Sequence, residues 1–548
     1  MVSAFRNQPS AFRIHMDAAC INYKDTGYFS QTVIDYLEDA PEVRSFYSHR
    51  PDMKGFAELL EHKKVTGDRQ VLADVLTTQY EKNGLRSAYH AQLAVENIGL
   101  LRSENTYTIT TGHQLNIFAG PLYFIFKIVT AIKLSRQLKD AFPDKNFVPV
   151  YWMASEDHDF AEINYTNIGG KKVHWWYEAQ GATGRIDPQS IRQALNQYKG
   201  ALGIERHANE LAEIVEHAYA GFDKLADATR FLVNALFGQY GLVVIDADDH
   251  QFKQQFASIM ERDIIEQNSF KQISATNEKL ETLGVHAQVN PREINFFYLQ
   301  EGLRERIVFE GGLYKVLNSE IFFSEEELKK EIREYPERFS PNVVMRPLYQ
   351  EVILPNIAYI GGGAEVVYWL ELKSNFEYYS VDFPILILRN SGLIVDKASA
   401  AKIAKMELEP CQLFLGVDAL KNAWVKKHSK HALNLTEEWR ELSSIFEKLK
   451  LRAHKIDPTL SPSTEAVQAR LKKAIDSLEK KLVKAEKINY HTRLEQVELI
   501  KNALFPHGSL QERSENFGLF YVKWGQPFID ELIRNFEPLD FKFTVLTE

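Results

Sequence analysis

Four short runs constrain the fold more than any other part of the chain. Tyr107 to Thr111, Phe147 to Ala154, Leu242 to Ala247 and Ile385 to Arg389 are β-branched or apolar at almost every position. Strands that alternate every second residue have one wet face, and these do not alternate. A strand apolar on both faces belongs in a parallel sheet covered by helices on either side. Stretches with apolar residues spaced by three and four lie between the runs, as such a fold requires. The expected class is α/β with a parallel-sheet core.

The four runs end alike. The first ends in Thr111, Gly112, His113 and Gln114, and the second in Ser155, Glu156, Asp157, His158 and Asp159. The third ends in Asp246, Asp248, Asp249 and His250, and the fourth in Arg389, Asn390 and Ser391. In an open parallel sheet these ends share one edge, where ligands bind at the switch point of strand order. We therefore expect one composite site. After the first run, His113, Gln114 and Asn116 form a polar loop, and Gly120-Pro121 opens a long apolar helix. Strand, polar turn and helix N-terminus in that order suit an anion, because the first helical amides are unpaired and the dipole is positive there.

Each candidate has more than one reading. His113 is an anion ligand, a base or a cap of the turn. Asp157-His158-Asp159 is a base with orienting carboxylates, part of a metal site with His113 and His174, or a solvated loop. No ligand spacing requires a metal. Arg346 beside Pro347 is either a carboxylate or phosphate clamp or half of a structural ion pair. Gly361-Gly362-Gly363 either admits a phosphate to the backbone or makes a tight turn. The chain has no Walker A motif, GxSxG elbow, GxGxxG or HExxH, so serine hydrolysis and hydride transfer lose their usual support.

At 548 residues the chain exceeds one ordinary core. Residues 1–390 are expected to form the core domain, with a helical first hundred residues as lid or packing layer. Two inserted subdomains, at about 171–238 and 270–339, flank the cleft. A net charge of −9 gives no basic footprint for nucleic acid. Cys20 and Cys411 are the only cysteines and read as reduced thiols. The first residues lack a signal-type apolar run, and Pro121 to Leu134 is too short to span a bilayer. The expected location is the cytoplasm.

Residues 391–548 change character and are expected to form a helical coiled-coil domain. Thr436 is an expected N-cap for a helix to Ile456, and Ser461-Pro462 an expected start for a second. The seam Leu471, Ile475, Leu478, Leu482, Ala485 alternates four and three, with Asn489 at the next position. Beyond Asn489 the apolar phase slips to Tyr490, Leu494 and Val497. The tail from Leu504 is dense in aromatic and polar residues, as a cap or as a second ligand pocket.

Four blocks, TGHQLNIFAGPLYFIFKIVTAIKLS, VPVYWMASEDHDFAEIN, FSPNVVMRPLYQEVILPNIAYIGGGAEVVYWLELK and the tail LFPHGSLQER, occur in that order. Together they resemble the bacillithiol biosynthesis cysteine-adding enzyme family. The resemblance implies a Rossmann-like core like that of class I aminoacyl-tRNA synthetases, with connecting-peptide-like insertions and a coiled coil that dimerises. It implies addition of L-cysteine to the amino group of glucosaminyl-malate, the last step to bacillithiol, and a nucleotide pocket near the coiled coil. His113 then stands at the first histidine of a synthetase His-x-Gly-His motif, while Leu115 and Asn116 replace its Gly and second His. The Lys-Met-Ser-Lys-Ser loop has no counterpart.

The expected roles follow from these observations. His113, Asp157 and His158 are catalytic candidates, and Gln114, Asn116, Asp159, Arg346 and Asp246 substrate-binding candidates. Arg389, Asn390, Ser391, Phe505 and Gln511 are candidates for ATP or ADP, and no metal is required. Cysteine and glucosaminyl-malate are the expected partners, with a second copy of the chain and neither nucleic acid nor membrane. Two other readings remain: a non-catalytic dimeric metabolite- or nucleotide-binding protein, and a transferase using a pre-activated cysteine donor.

Overall fold

The computed structural model describes residues 14–85 and 90–548. The N-terminal stretch read above for a signal segment lies, up to residue 13, outside the described residues. All four expected strands form, and a fifth joins them. They are β1 (Thr106–His113), β2 (Asn146–Met153), β3 (Val243–Asp246), β4 (Asn356–Gly361) and β5 (Ile385–Leu388). Every pairing is parallel, in the order β5-β4-β1-β2-β3. The fold is Rossmann-like, with β1 central and all C-terminal ends on one edge.

β1 carries threonines where a buried strand would ordinarily carry valines, and a buried amide satisfies them. The hydroxyls of Thr108 and Thr110 donate to Oδ1 of Asn356 on β4, at 3.1 and 2.8 Å. Asn356 Nδ2 donates to Glu351 at 2.6 Å, and Lys63 lies 3.8 Å from that carboxylate. Burial pushes the Glu351 carboxyl up to about 6, against the pull of Lys63. The polar cluster fixes the β1–β4 register, since a slip would strand several buried polar groups.

The first hundred residues are not all helical, since Asp17–Asn22 is a strand in a three-stranded sheet with Lys542–Thr547 and Gly392–Val395, but their helices are a packing layer. Phe56, Leu59 and Leu60, on helix Met53–His62, sit in one core cluster with Ile109, Ile360 and Ile387. Tyr36 donates to the carbonyl of Leu386 at 2.6 Å. Helix α1 (Leu122–Ala141) is buried over most of its length, and its Ala131, Leu134 and Leu138 belong to the same cluster.

Both insertions are present. The first begins earlier than the sequence suggested: Tyr165–Ile168 and Lys171–His174 pair across Gly169-Gly170, which supply the positive φ of the turn. The stretch Val173 to Ala179 near the expected start of the insertion is therefore only the second strand of this hairpin and its exit. Three helices follow, to Phe237. The second insertion holds a five-stranded antiparallel sheet that includes Phe296–Gln300, Leu303–Glu310 and Phe339–Pro341.

The chain forms two compact units, one reaching Leu393 and including Gln511–Leu546, the other spanning Ile394–Leu510 with the last two residues. The tail thus returns to the first unit, where the sequence reading kept 391–548 together. Its cause is polar as well as apolar. Asn516 donates to the carbonyls of Phe118 and Gly120, and Phe517, Phe528, Ile529 and Leu532 are buried.

In the second unit, helices Thr436–Ile456 and Leu460–Asn489 lie side by side, with Gln468 donating to Ser443 at 3.0 Å. Three local details differ from expectation. Thr436 is the first helical residue and not the cap, a position Leu435 takes, while Asn434 before it accepts from Thr436 N at 2.9 Å. The second helix starts at Leu460 behind Asp457, which leaves Pro462 in the first turn, where a missing N–H costs nothing. Asn489 ends that helix, its amide on Glu486 at 2.9 Å, and so fixes no register. The phase slip is real: a new helix, His491–Leu504, begins there. Cys20 and Cys411 are exposed free thiols. Among the described residues no helix is long and apolar enough to cross a membrane.

Removing the Asn356 amide leaves two buried hydroxyls and Glu351 short of a partner. Asn356→Ala is expected to lower the unfolding free energy by about 3 kcal/mol in urea titration. A loss below about 0.5 kcal/mol would show that the threonines find other acceptors.

Candidate active site

A cavity of about 760 Å³ opens at the C-terminal edge of the sheet. β1 contributes Gly112, His113 and Gln114, the end of β2 Glu156, Asp157 and His158, and β5 Arg389. Gly362 to Glu365 close the base, where β4 runs into helix α2 (Gly363–Leu370). The inserted sheet and the loops beside it add Arg292, Arg304, Arg306 and Asn342, and the returning tail adds Arg513.

The lining is strongly cationic. Six arginines, at 292, 304, 306, 346, 389 and 513, and Lys127 face three carboxylates, Glu156, Asp157 and Glu365. Lys127 comes from the second turn of α1. It pairs with Glu365 at 2.5 Å and donates to the carbonyl of Gly112 at 2.9 Å. Glu365 also accepts from Gly362 N and Tyr359 Oη, both at 2.8 Å. Burial works to raise the Glu365 carboxyl, but Lys127 and these donors overcome it and hold it at about 2.

His113 is part-buried between Tyr123 and Phe124, and its Nε2 has no hydrogen-bond partner. Burial first, then the charge of Lys127, pushes the imidazole down to about 3, so it is neutral at any working pH. Burial also acts to raise Asp157. The Gln114 amide at 2.8 Å and the charges of Arg304 and Arg346 outweigh it, and the carboxyl stays below its ordinary range. His158 accepts at Nδ1 from Arg304 at 2.5 Å, which puts the neutral ring's proton on Nε2. Arg304 stacks over Phe297 at 3.9 Å. Burial works against the guanidinium of Arg346, and Tyr368, Tyr359 and Asp157 around it hold it above its ordinary value. Glu156 is raised by burial in spite of its ion pair with Lys253.

The cavity therefore unites His113, Gln114, Asp157, His158, Arg346 and Arg389, and leaves other candidates outside. Asp246 ties strand ends together, accepting from Ser155 Oγ and from Asp248 N, because the short edge strand β3 stops before the cavity. Asp159 is exposed. Asn116 packs under Gly120 and donates to the Glu162 carbonyl at 3.1 Å. Asn390 holds Thr130 and the Glu537 carbonyl, and Ser391 accepts from Arg389. Gln511 is buried and does not line the cavity. Phe505 belongs to the second unit, with Lys501 Nζ 3.3 Å from its ring centre. His174 stacks on Trp176 at 3.9 Å, outside the cavity lining.

The expected anion site at the N-terminus of α1 is closed by the chain itself. Leu122 N donates to the carbonyl of Glu515 at 2.7 Å, and Asn516 occupies the neighbouring carbonyls. The cationic wall went unread in the sequence. One signal for it was present: Arg304 and Arg306 sit two apart in a strand-like run, hence on one face. Lys127 in an otherwise apolar helix was the other.

Comparison with known proteins covers nearly the whole chain. The family model "Bacillithiol biosynthesis BshC, N-terminal Rossmann-like domain" matches residues 16–390, and "Bacillithiol biosynthesis BshC, C-terminal coiled-coil domain" matches 392–548. A protein of Flavobacterium johnsoniae named "Putative cysteine ligase BshC" is 43% identical, over 97% of this chain and 100% of its own. Its namesake in Flavobacterium psychrophilum is 42% identical over 97% and 99%. That in Bacillus mycoides is 26% identical over 94% and 97%.

The neutral His113 has a consequence for acid stability. The unfolded ring binds a proton near 6.5, and the native ring only near 3. Its contribution is thus present above 6.5 and lost as the pH falls below it. Between about pH 7 and 5 the wild type is expected to lose 1 to 2 kcal/mol more than His113→Gln in urea unfolding. Equal losses would show that the native ring titrates normally.

Proposed function

The chain belongs to the bacillithiol biosynthesis BshC family, and from that premise we propose that it is a cysteine ligase joining the L-cysteine carboxyl to the amino group of glucosaminyl-malate. One observation carries the reading: an excess of cations around the cavity at the sheet edge. Both proposed substrates carry carboxylates, and arginine forks bind them in two-point contacts. The pair of Arg304 and Arg306 suits a carboxylate of a malate moiety, and Arg346 that of cysteine. Asp157, ionised and facing the cavity, suits an ammonium group.

Amide formation needs an activated carboxyl and a deprotonated amine. The C–N bond forms as the activated C–O bond breaks, and the amine proton passes to a base. Asp157 is too acidic for that role, and His158 already accepts from Arg304 at Nδ1. Glu156, whose proton affinity burial raises, suits it better than either. ATP is the proposed source of activation, and the arginine-rich lining suits its phosphates.

The test is turnover by purified protein, read by mass spectrometry of the cysteinyl product. Arg346→Ala is expected to lower kcat/KM about 100-fold. Turnover without ATP but with an activated cysteine would mark a transferase. Saturable binding without turnover would mark a metabolite-binding protein and sink the ligase reading.

A dimer through the helical hairpin completes the proposal. Ile456, Leu451 and Ile488 are 81%, 64% and 71% exposed, and Leu478 of the seam is 49% exposed. Large apolar side chains left in water on this hairpin favour a second copy. Light scattering at micromolar concentration is expected to give twice the chain mass of 63.1 kDa, and Leu478→Lys to shift it toward one chain. A wild-type monomer would overturn the dimer. A cytoplasmic setting fits the two free thiols.

A further inference from the structure

Three adjacent strand ends meet around one glycine. β4 pairs Ile360 with Thr111, and continuing that register sets Gly362 beside His113. On the other flank, β5 pairs Leu388 with Gly361, and Arg389 N donates to the Gly361 carbonyl at 2.8 Å. Gly362 thus lies between His113 and Arg389.

The fold itself does not ask for glycine there. A Cβ on Gly361 would meet Glu365 Cβ at 3.0 Å, and one on Gly363 would meet Val33 at 3.3 Å, so packing explains both. Gly362 has an ordinary backbone, φ −73° and ψ 171°, which any residue adopts. A Cβ on it would find nothing closer than Glu365 Oε2 at 3.4 Å and Arg389 Nε at 3.8 Å. The missing side chain leaves open space, and that space belongs to the cavity.

The two flanking groups have unused hydrogen bonds. Arg389 spends Nη1 on Asn390 and Ser391 and Nη2 on Glu512, while its buried Nε has no partner. Nε2 of His113 is likewise buried and unpartnered. Two buried polar atoms left idle on either side of a gap imply a ligand atom that satisfies both. Two carboxylates are near: Glu512, already engaged by Arg389 and by Gly392 N, and Glu365 beside the gap. Lys127, Gly362 N and Tyr359 already engage Glu365, and Lys127 neutralises its charge. The surrounding field is positive: Lys127, Arg389 and Arg346 all act to keep a proton off His113.

We propose that the gap over Gly362 is a subsite for one oxyanion, a carboxylate or phosphate, held by Arg389 Nε–H and by Nε2–H of neutral His113. The ligase reading bears only on which substrate supplies this group, and the binding site stands apart from it. A phosphate would come from the nucleotide and a carboxylate from the malate moiety.

Gly362→Ala tests the subsite, because its methyl fits the fold and fills the gap. The probes are inorganic pyrophosphate and L-malate, titrated calorimetrically into the full chain without turnover. The wild type is expected to bind one of them, and Gly362→Ala to weaken that probe at least about tenfold with Tm unchanged. Arg389→Lys keeps a cation beside Glu512 but has no Nε–H, and it carries the same expectation should the alanine variant not fold. The weakened probe identifies the source of the anion. If both variants bind as the wild type does, or the wild type binds neither probe below roughly 10 mM, the subsite is wrong. Catalysis of ligation by a Gly362→Ala protein that binds both probes normally would remove the subsite and leave the ligase reading in place.

Discussion

The Lys127–Glu365 ion pair is the interaction on which the cavity depends. It joins three elements at the sheet edge: α1 through Lys127, β1 through the Gly112 carbonyl, and the start of α2 through Glu365. A buried pair repays its desolvation only when the remaining valences are satisfied. Here they are. Lys127 has the Gly112 carbonyl, and Glu365 has Gly362 N and Tyr359. Burial is what chiefly keeps the nearby His113 unprotonated; Lys127 adds to that effect and Glu365 opposes it. The ion pair therefore sets the shape of the cavity base, and the burial it helps to build sets the charge state of the histidine.

The wall opposite that base has a different origin. Arg304 is nine-tenths buried, and it has an aromatic ring, Phe297, under its guanidinium, with Ser340 and His158 as acceptors. Arginine tolerates this better than lysine would, because its charge is spread over a plane that can stack and still donate. These contacts consume donors without supplying a countercharge. Asp157 is shared among Arg304, Arg346 and Gln114 and cannot neutralise the wall alone. The cavity keeps a surplus of positive charge that only a bound anion offsets.

Much of this was legible in the chain, and the remainder failed for identifiable reasons. The strands β1, β2, β3 and β5 declared themselves through uninterrupted apolar runs. β4 did not, because only its closing glycines drew a reading, as a phosphate approach or a tight turn, although its first residue, Asn356, satisfies the β1 threonines. His113, Asp157, Arg346 and Arg389 were found because strand ends share an edge. Asp246 and Asn390 obeyed the same rule and were drawn instead into ties between elements. Arg292, Arg304, Arg306 and Arg513 come from an insertion and a returning tail, and local pattern does not say where such segments dock.

The shift of the anion site from one helix start to another follows from that return. Two strand-to-helix junctions lie side by side on the edge, β1 into α1 and β4 into α2, and helix geometry makes either one a receptor for negative charge. The tail uses the first. Glu515 gives its carbonyl to Leu122 N, and Asn516 binds Phe118 and Gly120, which needs the left-handed turns at Phe118 and Ala119. Asn116 is thereby folded under Gly120. His113 and Gln114 face the cavity from this loop, and His113 lies beside the second junction, where glycine leaves the backbone bare. The loop after β1 is therefore divided: His113 and Gln114 line the cavity, while Asn116 holds the Glu162 carbonyl and the turns that follow present the carbonyls of Phe118 and Gly120 to the tail.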